Sequence, residues 1–439
     1  MQENSRTNLL RQYGAFVGVS FVIGAILSFV IASYLNRGSI QQIFSFIGND
    51  SPAGYIDSVK PKPLGVHYFG DYLLPRWQSQ MKSPWFIKDP MQGPLNNYLP
   101  FTMAVFWIFT HLSYWTSFVL YMLIPIVILL FVVWKSLSFE SRSEKTHFVI
   151  TSIVLTLPFI SLVDRGNIQI YVVASLALAL WLFCNKHETW GAVVLGFSIA
   201  LKGYPVFLIA VWIHAKRWKD VMVAAITSIG LTVAPLLFYD GGITRNISRI
   251  FRNVRINEDL YAADSLAFNN SLRGCLLTLS RVTFLNLGNV FNSMYENFML
   301  TFLVLALVTG LLVLFLKLEL VEVVVLSAVL MSTFVDYVAA YSLGVYFLFT
   351  IALGLTGSSM PKLPMRLLMF SVAIQMAPKG FPLRFWSLNP SNSYPSYTSL
   401  LGGLSSLMSF IIVVAVVLHR TKRNKSTTAN NKIAESANR

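Results

Sequence analysis

The stretch at 190–220, WGAVVLGFSIALKGYPVFLIAVWIHAKRWKD, combines two short apolar runs with a basic turn. The runs 190–201 and 204–214 hold about 12 and about 11 residues, so each reaches only about 17–18 Å as a helix. A bilayer core is about 30 Å thick, so neither run crosses it alone. The stretch therefore predicts a hairpin whose tip, at 201–205, stops inside the membrane.

Lys202 lies in this predicted tip. Non-helical backbone at that depth is tolerated only where protein or water covers it, so the tip is predicted to line a cavity. A lysine buried there is costly unless it meets an anion. Snorkelling to the surface is the alternative and suits lysines near span ends. Because Lys202 is far from the basic end of the hairpin, we interpret it as an anion ligand, with Tyr204 lining the same cavity.

The composition places the hairpin in a membrane protein. The chain has 439 residues, of which 55% are hydrophobic and 12% charged, and its mean hydropathy is +0.61. Soluble domains carry about 25% charged residues. The recurrent apolar runs predict an all-α polytopic membrane protein with roughly 11–13 membrane helices, including the short hairpin.

The apolar runs and basic loops also predict a topology. The predicted spans are 14–35, 115–134, 147–163, 167–184, 220–238, 299–317, 319–335, 341–357, 364–377 and 398–418. A short helix over 99–113 dips in from the outer surface before the second span. Short basic connections face the cytoplasm, so both termini are predicted to be cytoplasmic in a plasma-membrane protein. The outer side receives two long loops, 36–98 and 239–298.

These spans form one predicted integral membrane domain, 1–425. The polar segment 426–439 is predicted to be a disordered cytoplasmic tail. The formal charge of +15 suggests an anionic partner, and lipid phosphate fits better than nucleic acid because so little of the chain is soluble. Cys184 and Cys275 are too few and too far apart for a disulfide framework or a cysteine-based metal site.

Asp71 is the candidate general base. It lies in VHYFGDYLLPRWQSQMKSPWF, 66–86, where aromatic and charged residues mix as they do in interfacial helices. A carboxylate there could take a proton at the membrane surface, where partial burial would tune its pKa. A solvated loop carboxylate or a helix cap is the alternative. Asp50, Asp57 and Asp89 compete from the same loop.

Arginines recur in TRNISRIFRNVR, 244–255. Arg245, Arg249 and Arg252 stand at i, i+4 and i+7 and share one helical face. One interpretation is a solvated or headgroup-binding amphipathic helix. The other is a clamp for a lipid-linked phosphate, which suits arginine's forked donors. Arg273, in FNNSLRG, could join such a clamp.

The segment VDRGNIQ, 163–169, is predicted to form an outer helix–helix turn. Asp, Gly and Asn are ordinary turn residues, so the signal is weak by itself. Asp164 and Asn167 are nevertheless candidates to line the cavity, because the turn faces the same side as Asp71. Nucleotide-driven and zinc hydrolysis are disfavoured, since the chain has no Walker-type Gly-Lys-Ser/Thr or His-Glu-x-x-His motif.

Four stretches in order carry a family resemblance: NNYLPF at 96–101, DRGNIQ at 164–169, LKGYPVFLIAVWIHAKRWKD at 201–220 and NNSLRG at 269–274. Together with Asp71 they resemble the polyprenyl-phosphate-sugar-dependent membrane glycosyltransferases of the GT-C class, with family 87 the most similar. That family includes mannosyl- and arabinosyltransferases. The family commonly shows Tyr-Pro-Pro where this chain reads Tyr98-Leu99-Pro100.

The resemblance implies a GT-C-like bundle and an inverting transfer. A sugar, mannose or another hexose or pentose, would move from a polyprenyl phosphate to a lipid- or glycan-linked acceptor on the outer side. Asp71 would be the base, and Lys202 would hold the donor phosphate. The arginines Arg245, Arg249, Arg252 and Arg273 would assist, and Tyr98 and Asn270 would join the cavity lining. No metal ligand or other cofactor is predicted, and divalent-metal dependence is left open.

A transporter or flippase of a lipid-linked saccharide is the alternative function. Transporters often carry inverted repeats with paired broken helices. The sequence shows one short hairpin without a counterpart in a second half, which disfavours a transporter. A binding or scaffold protein would leave the buried Lys202 unexplained.

Overall fold

The computed structural model describes residues 2–35, 70–86, 96–264, 269–282, 287–334, 338–379 and 397–437. Every regular element in these ranges is helical. Five of their helices are long and apolar enough to cross a membrane, or six if a bent pair counts as one span. The prediction of an all-α, polytopic membrane protein is confirmed.

The helices follow one another in chain order. In the first half they are Gln2–Leu35, Gly70–Gln78, Pro100–Thr110, Tyr114–Ser136, Arg142–Val149, Leu157–Arg165, Gln169–Cys184, Glu188–Leu201, Ala210–His214 and Trp218–Val233. In the second half they are Gly242–Asp264, Leu272–Val282, Leu287–Glu296, Phe298–Phe315, Leu320–Phe334, Phe347–Thr356, Lys362–Met376 and Tyr397–Ala437. A π turn forms at Ile150–Val154, and 3₁₀ helices form at Tyr204–Ile209, Ala234–Leu237 and Ala340–Tyr346.

The stretch predicted as a short dipping helix followed by one crossing forms two separate helices, and its placement in the membrane stays a prediction. The dipping helix, Pro100–Thr110, starts with a proline at its first position, where the missing N–H costs nothing. The crossing helix, Tyr114–Ser136, is capped by Ser113, whose hydroxyl accepts the Thr116 N–H at 3.4 Å. This cap separates the two helices.

Two predicted segments differ from the structure. The single span over 147–163 is a broken pair, Arg142–Val154 and Leu157–Arg165, bent by 66°. Pro158 stands at the start of the second helix and cannot donate a backbone hydrogen bond to the first. The C-terminal helix continues to Ala437 where a disordered tail was predicted over 426–439. Extending an existing helix avoids the cost of nucleating one.

The first helix of the hairpin is tightly packed because two of its residues are glycines. This helix, Glu188–Leu201, lies between Gln169–Cys184 and Trp218–Val233. A Cβ at Gly191 would lie 2.8 Å from the carbonyl oxygen of Ala179, and one at Gly196 would lie 2.7 Å from that of Ala224. Small residues let membrane helices approach this closely. Close packing fixes where the hairpin tip ends.

The second half of the chain is tied together by a charged cluster at one end. Glu322 is fully buried at the start of Leu320–Phe334, and Arg420 of the C-terminal helix donates to it at 2.7 Å. Arg420 also donates to Glu319 at 3.2 Å. Glu319 accepts hydrogen bonds from Ser358 and Ser359 as well. The cluster therefore joins two connections of the fold to the C-terminal helix.

Replacing Arg420 by glutamine should destabilise the protein by up to about 3 kcal/mol, because it leaves the Glu322 carboxylate buried without its cation. Thermal unfolding of the purified protein in detergent measures this. The matched control is Arg11→Gln, which breaks the exposed Arg11–Glu144 pair and should have little effect. Equal unfolding temperatures for the two variants would contradict the expectation.

Candidate functional site

The Asp71 helix, Gly70–Gln78, holds its carboxylate in the first turn, where the helix dipole favours a negative side chain. Tyr72 anchors this helix to the bundle. Its ring centroid lies 4.6 Å from that of Tyr121, and its hydroxyl donates to Ser117 at 2.6 Å. Burial raises the pKa of Tyr72, so this hydroxyl keeps its proton. Asp71 is consequently held against the bundle with only 11% of its side chain exposed.

The turn at 164–169 presents Asn167 to Asp71. Gly166 ends the helix Leu157–Arg165 with a φ of +61°, which glycine adopts readily. The Asn167 side chain is buried, and its Oδ1 accepts the N–H of Gln169 at 2.8 Å. That bond caps the next helix and leaves the amide Nδ2 free to donate elsewhere.

Asn167 connects the two residues that the sequence singled out. Its Nδ2 donates to Oδ2 of Asp71 at 2.7 Å, and its Oδ1 accepts from Nζ of Lys202 at 3.4 Å. Arg165 approaches the same Asp71 oxygen at 3.6 Å. The Tyr341 ring centroid lies 5.6 Å from both the Lys202 ammonium and the Arg165 guanidinium. We call these five residues the Asp71–Lys202 cluster.

The cluster combines a group that can accept a proton with groups that can stabilise a negative charge. Asp71 offers a carboxylate, and Lys202 and Arg165 offer two cations. Tyr341 presents an aromatic face that stabilises cations. Lys202 caps the C-terminus of Glu188–Leu201, where the helix dipole favours a positive charge. A partly buried site of this kind strengthens electrostatic interactions relative to water.

The dipping helix is joined to the hairpin tip. Thr102 donates from its hydroxyl to the carbonyl oxygen of Leu201 at 2.6 Å, which satisfies one of the carbonyls that a helix end leaves open. This bond fixes the backbone beside Lys202. The position of the lysine therefore depends on a contact between segments 99 residues apart.

The cavity-lining candidates have different surroundings, and their role stays a prediction. Tyr98 precedes the dipping helix and packs on Phe106 with ring centroids 5.9 Å apart. Asp164 is half-buried in the last turn before Gly166. Tyr204 is buried, and within the described residues its hydroxyl has no hydrogen-bond partner. Asn270 donates to the carbonyl of Val338 at 3.0 Å, three positions before Tyr341.

The predicted arginine face lies around Phe86. Arg245 and Arg249 both stack on the Phe86 ring, with Cζ at 4.5 and 3.5 Å from its centroid. Arg252 is exposed on the same helix, and Arg273 lies over the Tyr295 ring at 4.7 Å. The donor-phosphate role of these four arginines stays a prediction. The competing carboxylates Asp50, Asp57 and Asp89 lie outside the described residues.

Sequence reasoning missed Arg165 and Tyr341. Arg165 lies inside the DRGNIQ segment, and its place between Asp164 and Gly166 was the available signal. Tyr341 is one of three tyrosines in the stretch VDYVAAYSLGVY, 335–346, so no local pattern distinguishes it. Only the packing of Ala340–Tyr346 against Leu157–Arg165 brings this ring to the cations.

Replacing Asn167 by aspartate should lower turnover about 10- to 100-fold, since a hydrogen bond to a charged group contributes about 1.5–3 kcal/mol. Aspartate keeps the acceptor for the Gln169 N–H but cannot donate to Asp71. Turnover and thermal unfolding would be measured together. A serine at 167 restores a donor in part and should recover some turnover. A fall in unfolding temperature that accounts for all lost turnover would contradict a positioning role.

The described helices and this cluster define a multi-pass membrane protein in which Asn167 joins a carboxylate and an ammonium. A family model described as Glycosyltransferase family 87 matches residues 97–340, more than half of the 439 residues, and the chain belongs to that family. It is a glycosyltransferase, acting on a sugar donor and an acceptor. No curated protein matches the chain.

Proposed function

We propose that the protein transfers a sugar, mannose or another hexose or pentose, from a polyprenyl phosphate to a hydroxyl of a lipid- or glycan-linked acceptor. The observation that carries this proposal is the bridge that Asn167 forms between Asp71 and Lys202. A proton acceptor and an ammonium within one hydrogen-bonded group match the two charges that develop in the reaction.

The proposed step balances in atoms and charge. The acceptor oxygen attacks the anomeric carbon and inverts its configuration while Asp71 takes the hydroxyl proton. The bond between that carbon and the phosphate oxygen breaks, and its electron pair leaves with the polyprenyl phosphate. Lys202 stabilises this leaving phosphate, and Arg165 neutralises Asp71 until the acceptor arrives.

Contacts at the opposite end of the bundle support the proposed sidedness. The segments predicted to be cytoplasmic meet one another there: Arg6 donates to the carbonyl of Leu355, Arg11 pairs with Glu144 and Arg420 pairs with Glu322. We propose that this end faces the cytoplasm with both termini. The Asp71–Lys202 cluster then opens to the outer face of the plasma membrane.

Reconstitution into vesicles tests the proposal against the flippase alternative. The protein would receive a synthetic polyprenyl-phosphate sugar and a lipid extract from its source membrane. Sugar found covalently on an acceptor by mass spectrometry supports a transferase. Movement of the intact lipid across the bilayer, without a glycosylated product, would show a flippase and overturn the proposal.

A further inference from the structure

An apolar groove of about 640 Å³ lies between the dipping helix and the helix Trp218–Val233. Its lining includes Phe101, Ala104, Trp107, Leu231, Phe238 and Tyr239. Trp107 and Phe238 are exposed by 48% and 87%, so the groove opens at the surface of the bundle. In a membrane that surface meets lipid, and exposed apolar grooves of this size mark ligand sites.

One end of the groove carries cations. Lys82 is part of the lining, and its carbonyl accepts the N–H of Asp240 at 2.8 Å. Gly241, with a φ of +104°, brings the chain past Phe86, on which Arg245 and Arg249 stack. Trp85 and Tyr239 pack edge to face at 5.1 Å and join this end to the groove. We call Lys82, Arg245 and Arg249 the cationic mouth.

The net charge of the mouth favours an anion. The mouth has three cations, and Asp240 contributes one carboxylate within the described turn. Lys82 and Arg245 are exposed, and both arginines keep their guanidinium planes fixed on Phe86. A guanidinium held in this way loses little entropy when it binds a phosphate. A groove with apolar walls and a cationic end therefore has the shape and charge of an anionic lipid.

This anion is distinct from the phosphate that leaves in the proposed reaction. The leaving phosphate is bonded to the sugar carbon under attack, so it must lie within a few bond lengths of the hydroxyl that Asp71 deprotonates. The Asp71 helix rises about 10 Å from position 71 to position 78, and Lys82 follows beyond its far end. The dipping helix also stands between the two sites, with Phe106 toward Tyr72 and Ala104 toward the groove.

We propose that the groove and the cationic mouth bind a phospholipid of the surrounding membrane, with one chain between the helices and the phosphate on Lys82, Arg245 and Arg249. Charge complementarity selects an anionic headgroup over a zwitterionic one. The bound lipid stabilises the junction between the turn at 79–82 and the helix Gly242–Asp264. In place of the donor-phosphate role predicted from the sequence, Arg245 and Arg249 bind a lipid that does not react.

Native mass spectrometry of the full-length protein tests this site with dioleoylphosphatidylglycerol as the probe and dioleoylphosphatidylcholine as its zwitterionic counterpart. The double variant Lys82→Gln/Arg249→Gln should bind phosphatidylglycerol about 10- to 30-fold more weakly. Ala104→Phe fills the groove and should weaken both lipids. Arg255→Gln removes an exposed charge from the same helix and should bind as the wild type does.

Three outcomes overturn the proposal. The first is wild-type affinity of the double variant for phosphatidylglycerol, and the second is equal affinity of the wild type for the two phospholipids. The third is binding of polyprenyl phosphate that is lost in the double variant but kept in Lys202→Met. If binding of polyprenyl phosphate depends on Lys202 instead, the result supports two separate sites. Because no turnover enters these measurements, the first two outcomes leave the transferase proposal standing, whereas the third also removes the role proposed for Lys202. Thermal unfolding checks each variant, and the double variant decides if Ala104→Phe does not fold.

Discussion

Replacing Asp71 by asparagine should lower turnover by about 10²–10⁴-fold, the usual contribution of a general base. The amide has nearly the shape of the carboxylate, and its carbonyl oxygen can still accept from Asn167. It cannot take the acceptor's proton. Initial rates in vesicles, with a synthetic polyprenyl-phosphate sugar as donor, measure the effect.

The control for this variant is Glu144→Gln, which also removes one carboxylate but lies in an exposed pair with Arg11. It should turn over at the wild-type rate. The apparent affinity of the Asp71→Asn variant for the donor should change much less than its turnover, because the base acts on the acceptor. Near-wild-type turnover in Asp71→Asn would exclude Asp71 as the base.

Replacing Lys202 by methionine should lower turnover by about 10²–10³-fold, the range seen when one electrostatic contact to a developing charge is removed. Methionine has a similar length and no charge. The ammonium stabilises the phosphate more as it gains charge than in the bound donor, so turnover should fall more than donor affinity. Single-turnover rates at saturating donor measure the chemical step directly.

Thermal unfolding of the Lys202→Met variant separates a loss of catalysis from a loss of folding. Burying a charge is costly, so Lys202→Met should unfold at the wild-type temperature or above it. Lys219→Met removes an exposed lysine from the basic turn of the same hairpin and should retain activity. A Lys202→Met protein that is both stable and fully active would show that Lys202 does not stabilise the leaving phosphate.

The extent of the family match bears on these two predictions. Residues 97–340 contain Lys202, Asn167 and Arg165 but neither Asp71 nor Tyr341. The cluster is nevertheless continuous in space, because Asn167 bonds Asp71 at 2.7 Å and Tyr341 faces both cations. A site built across the edges of the matched segment cannot be read from that segment alone.

The broken pair at 142–165 shows where reading apolar runs reaches its limit. Hydropathy predicted one span because the run from 147 to 163 is continuous in composition. The structure bends there by 66°, which places the turn at 164–169 beside the Asp71 helix. A straight span would carry Asn167 elsewhere, so the proposed site depends on a break that average hydropathy does not register.

The sequence by itself determined the helical membrane class and the short hairpin, and it singled out two charged residues, Asp71 and Lys202. These conclusions follow from local quantities: the length of an apolar run, and the cost of placing a charge within one. Tertiary structure alone decided that Asn167 joins Asp71 and Lys202, that Arg165 and Tyr341 complete the cluster, and that Arg245 and Arg249 stack on Phe86. The two bonds of Asn167 connect residues 96 and 35 positions apart. Contacts at such separations are set by how helices pack, and that packing depends on side-chain shape across the whole bundle.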